Sequence, residues 1–212
     1  MSRIEGLAPD RQTADQRSLY DAILGGRRGQ TVAARGQGTS GGQQAAAASG
    51  LLDTTGALVG PFNAWLLSPA IGDRIQRLGE AIRFNSSLPQ NVLEVAILVE
   101  AREWRAEFEW WAHVRLARRA GVSSEVIAAI QEQRDPVFTD AGEEIAWRFS
   151  RELLESRRVS ANTYRAARER FGENGVMELI TLLGYYTLVS MTLNAFEVPL
   201  PEGEEPAFVL TE

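Results

Sequence analysis

Residues 88–121 read LPQNVLEVAILVEAREWRAEFEWWAHVRLARRAG, and this stretch decides the fold. Leu88-Pro89 opens a helix, because proline tolerates the first turn, where its missing N–H costs nothing. Val92, Leu93, Val95, Ala96, Ile97, Leu98 and Val99 make that helix apolar nearly all round. Such a helix is buried in a core or at a subunit interface. Trp104 to Ala120 continues in helical register, and Gly121 is a suitable C-cap. The class expected is all-α.

Outward from there, the same logic gives more helices. Towards the N-terminus, residues 62–84 read as helical with an interruption near Ser68-Pro69. Leu51 to Asn63 carries turn signals at Asp53-Thr54-Thr55-Gly56 and Gly60-Pro61, and a hairpin-like excursion fits. Residues 25–50 are rich in Gly, Gln, Ala, Arg and Ser without apolar periodicity. They read as a long surface loop or mobile segment, open to a role as an active-site lid. Residues 7–24 form a first helix with Leu19, Tyr20, Ile23 and Leu24 on one stripe. Towards the C-terminus, Ser123 or Ser124 caps a short helix over 125–131, and Asp140 caps one over 141–156. Ser160 starts another over 161–171, which Gly172 ends. A last long helix, 175–196, is again apolar nearly all round and stops at Pro199 and Pro201. The acidic tail after it reads as an extended or disordered arm. The organisation expected is 1–50, a helix and loop; 51–201, a helical domain; and 202–212, the tail. Two all-round apolar helices exceed what one small domain needs, which points to a homo-oligomer.

Composition excludes whole classes of chemistry. The 212 residues contain no cysteine and a single histidine, His113. Disulfide chemistry, Cys-ligated metals, Cys nucleophiles and multi-His metal sites are therefore out. Net charge is −6 with the signs mixed, and the one basic cluster, Arg115, Arg118 and Arg119, is too sparse for a nucleic-acid footprint. No run of about 18 apolar residues suggests a membrane span, and residues 1–6 lack signal-peptide features. A cytoplasmic protein is expected, without nucleic-acid or membrane partners.

Three residues remain for chemistry. Glu94 sits inside the apolar run, where burial disfavours ionisation and brings a carboxyl towards proton-transfer duty; an interfacial ion pair with arginine is the equal alternative. Glu109 and His113 lie four apart on one helix face, so the carboxylate can orient the ring or simply form a surface pair. Trp110 and Trp111 crowd the segment as pocket wall or as core packing. On one straight helix Glu94 and Glu109 would stand roughly 22 Å apart. No Gly or Pro between Ala101 and Phe108 announces the break that a shared site needs.

These blocks, with Gly60-Pro61-Phe62-Asn63, Gly184-Tyr185-Tyr186 and residues 194–201, resemble the carboxymuconolactone decarboxylase family, which shares its fold with alkylhydroperoxidase D. The resemblance implies an alkylhydroperoxidase D-like helical domain over 51–201, assembled as a trimer or hexamer. It also implies a helix break that brings Glu94 to His113. The peroxidase branch uses a Glu, a Cys-x-x-Cys pair and a His; the Cys positions fall here on Ala106 and Glu109, so a disulfide cycle is chemically impossible. The decarboxylase-like branch commonly has Glu at the position of Glu109. The expected catalytic set is Glu94, Glu109 and His113, with Phe62, Asn63, Trp110 and Trp111 against a small-molecule substrate. Arg83 or Arg102 would offset substrate charge, and no cofactor or metal is expected. The function implied is a cofactor-independent decarboxylase, isomerase or lactone-processing enzyme. The alternatives are a non-catalytic oligomeric binding protein and a carboxylate-rich metal site.

Overall fold

The computed structural model describes residues 2–27 and 51–208, which hold eight α-helices. The expected loop and lid at 25–50 lie, from residue 28 onward, outside the described residues. The chain divides into two units.

The first unit comprises Met1–Asn85 with Ala195–Val198. Helix α1, Ala14–Gly25, begins later than residue 7, because Thr13 and Gln16 close a reciprocal capping box. That box satisfies two backbone N–H groups at once and fixes the start there, leaving Pro9–Arg11 as a short 3-10 turn. Leu19, Tyr20 and Ile23 form the buried stripe of α1, which packs on α3, Pro69–Asn85. Among the described residues between them lie an antiparallel bridge, Leu52 to Leu58, and the short α2, Pro61–Trp65. The interruption expected at Ser68-Pro69 is present between α2 and α3.

The second unit comprises Ser86–Asn194 with Pro199–Glu212. Helix α4, Gln90–Glu103, is its axis: every residue from Val92 to Ala101 is buried. It packs against α5 (Glu107–Arg119), α6 (Ser124–Gln131) and α7 (Ala141–Ser156). Ser123 and Asp140 cap α6 and α7 as expected, each accepting an N–H three residues on. The two helices expected over 161–171 and 175–196 meet at Gly172, whose φ of 70° and ψ of 174° are non-helical and open freely to glycine; together they are α8, Ala161–Ala195. Glu178 of α8 accepts hydrogen bonds from Ser86 and Ser87 at 2.8 Å and anchors the entry to α4. By length and composition α8 could cross a bilayer, with a mean hydropathy of 1.5 over its most apolar stretch, but half of that stretch is buried within the fold. Its outer side shows Met177, Ile180, Leu188 and Met191 to solvent.

The C-terminal tail is docked as far as residue 208, contrary to expectation. The carboxylate of Glu107 accepts the backbone N–H groups of Ala207 and Phe208 at 2.7 and 2.8 Å. Phe208 is buried against Trp110, with ring centroids 5.2 Å apart, and Arg102 lies over its other side. One aromatic anchor and two charge-assisted hydrogen bonds overcome the cost of ordering a short polar segment.

Candidate active site

The break between α4 and α5 creates the site. The N–H of Ala106 donates to the carbonyl of Ala101 (2.9 Å), and that of Arg105 to Arg102 (3.2 Å). This is the Schellman pair of bonds that ends many helices. Its left-handed position is filled by Arg105, φ 48°, instead of the usual glycine. Ala101 and Ala106 are fully buried against this corner. The chain turns within three residues, and α5 folds back along α4.

The fold-back puts His113 between two carboxylates. Its Nδ1 lies 2.6 Å from Oε2 of Glu94 on α4, and its Nε2 lies 3.0 Å from Oε1 of Glu109 one turn earlier on α5. Each of the three residues is only 4% exposed, so the pairs are screened little by water. The ring of Tyr186, on α8, meets the imidazole edge-on at 5.1 Å. Burial alone would lower the pKa of His113; the charges and hydrogen bonds of Glu94 and Glu109 outweigh it and raise the pKa to about 9. At neutral pH the ring is an imidazolium donating both N–H groups.

A fourth member escaped the sequence reading. Glu100, 0% exposed on α4, accepts a hydrogen bond from Ser190 of α8 at 3.0 Å with Oε2, and its Oε1 has no hydrogen-bond partner. Burial, then the charge of Glu109, push its pKa well above the ordinary carboxylate range, while Ser190, His113 and Thr187 pull the other way. The signal was present: Val99-Glu100-Ala101 extends the same apolar run that singled out Glu94.

The other expected residues have structural contacts. Trp110 packs under Phe208, and Trp111 stacks between Phe108 and the guanidinium of Arg115. Arg102 donates to the carbonyl of Gln131 at 2.6 Å and to the side chain of Gln133. Phe62 and Asn63 belong to the first unit. Phe62 meets Trp65 edge-on, and Asn63 ties the N-terminal segment by bonding both Glu5 and Leu7. A cleft of about 510 Å³ in the second unit is lined by Asn91, Ser123, Asp140 and Glu143, and no member of the array lines it. Among the described residues no group of three or more His, Asp and Glu side chains is arranged to hold a metal ion.

A cysteine-free, all-α protein with a buried carboxylate–imidazole–carboxylate array is the class this fold and site define. Residues 69–152 match the model of the carboxymuconolactone decarboxylase family. The matched region contains the whole of α4 to α6, the break at Arg105 and all four site residues. No curated protein and no solved structure matches the chain.

Proposed function

We propose that the chain is a cofactor-independent acid/base enzyme that moves a proton at a carbon next to a carbonyl, on a small lactone, ketone or unsaturated acid. The observation that carries this reading is the imidazole of His113 held at both nitrogens by buried carboxylates. A thiol cycle is excluded, since the chain has no cysteine.

Both ring N–H groups face carboxylates, so protons reach a substrate through Glu109 or Glu94. In an isomerisation, one carboxylate oxygen takes the proton from the α-carbon. The C–H electron pair moves into the conjugated carbonyl, and the same carboxyl returns the proton further along the system. In a decarboxylation, the C–C bond to the leaving CO₂ breaks, its pair enters the same sink, and the carboxyl supplies the proton that replaces it. His113 refills or drains that carboxyl through its hydrogen bond and holds it in place. The two carboxyl groups flanking His113 favour neutral substrates over anionic ones.

The trial is a mass-spectrometric screen of unsaturated lactones, ketones and carboxylated ring-cleavage products. A substrate found in this way should be turned over about 10²–10⁴-fold more slowly by Glu109→Gln and by His113→Asn, the range that general acid/base groups contribute. Equal turnover by wild type and both variants would remove these roles.

A further inference from the structure

We propose that Glu100, fully buried on α4 and bonded by Ser190 of α8, is a positioning residue for the array: a carboxyl kept neutral so that it adds no charge beside Glu109 and His113. This deepens the acid/base reading and draws its consequence from it, but its test does not need turnover.

Glu94, Glu109 and Glu100 are all buried, and among the described residues His113 is the cation that acts on the group. That cation already bonds Glu94 and Glu109. A further ionised carboxyl would add an uncompensated negative charge inside the helical packing, where an unpaired ion is strongly disfavoured. The hydrogen bonding agrees. Ser190 satisfies only Oε2 of Glu100, and Oε1 has no partner. An unpartnered oxygen is far less costly on a neutral carboxyl than on a carboxylate. The groups acting on Glu100 are Glu109 and His113 from α5, and Ser190 and Thr187 from α8. Only Glu109 among them opposes its ionisation.

Two consequences follow. Near neutrality Glu100 contributes no charge, so removing its acidity should leave His113 undisturbed. At higher pH its proton leaves, and the new charge is felt at the imidazole, so the two titrations are coupled.

The single histidine makes both consequences readable. The ring resonances of His113 are followed by NMR against pH in wild type, Glu100→Gln and Ser190→Ala. Glu100→Gln keeps shape and hydrogen-bonding capacity, and should match wild type at neutral pH. Wild type should show a second step above the ordinary carboxyl range, and Glu100→Gln should lack it. Ser190→Ala removes the hydroxyl that stabilises the carboxylate, and should move that step to higher pH. The proposal is overturned if, at neutral pH, Glu100→Gln moves the His113 ring resonances away from wild type as loss of a standing negative charge would. It is equally overturned if the second step is absent from wild type or survives in Glu100→Gln. Turnover that fails to appear, with these titrations as described, would count against the enzyme reading alone.

Discussion

Between pH 6.5 and 9 the protein should lose about 3 kcal/mol of unfolding free energy through His113 alone. The ordinary pKa of 6.5 rises to about 9 in the fold. Below pH 6.5 both folded and unfolded chains hold the proton, and the stabilisation is complete. Between the two values only the folded chain holds it, so unfolding releases a proton and stability falls as pH rises. Above pH 9 the contribution is gone. Denaturant unfolding at a series of pH values measures this slope, and His113→Asn isolates it, because the variant cannot bind the proton. The variant should also be about 3–5 kcal/mol less stable at pH 6.5, since two buried carboxylates lose their shared partner. Parallel pH profiles for wild type and variant would show that the imidazole is not held as described.

The second large effect belongs to the corner between α4 and α5. Arg105→Pro should destabilise the protein by about 3 kcal/mol or more. Proline fixes φ near −65°, whereas residue 105 has φ 48°. It also removes the N–H that donates to Arg102, and it crowds the helical backbone at Trp104. Arg105→Gly should keep the corner, because glycine adopts the left-handed conformation without a steric cost. Thermal unfolding and the His113 titration read both variants. Glycine should retain the raised histidine pKa, and any folded fraction of the proline variant should show a histidine close to 6.5. A proline variant as stable as wild type, with its histidine unchanged, would mean that this corner does not bring Glu94 to His113.

That corner also marks how far the sequence could be read. The apolar run 92–99 foretold a buried helix, and the spacing of Glu109 and His113 foretold a shared face. Both followed from periodicity, which burial enforces. The break at residues 104–106 did not follow, because its left-handed position is held by an arginine. Helix ends are read from glycine and proline, and here backbone bonds into buried Ala101 and Ala106 stabilise a turn that carries neither. Only the family resemblance indicated it. The same corner forms after α6 at Gln133, φ 55°, and after α5 at Gly121, φ 92°; only the second was legible.

Glu100 illustrates a different limit. A carboxylate inside an apolar helix can be recognised from sequence, but its meeting with Ser190 depends on which face of α8 is turned inward. From residue 175 onward α8 is apolar on nearly every side, so periodicity could not supply that orientation. The docking of the tail depended likewise on one aromatic residue, Phe208, in an otherwise polar segment whose composition pointed to an arm.

The most direct measurement is ¹⁵N NMR of the His113 ring at pH 7.5. A doubly bonded imidazolium gives two protonated nitrogens with similar shifts, and titrates near 9. One protonated and one bare nitrogen, titrating near 6.5, would show that Glu94 and Glu109 do not clasp the ring together.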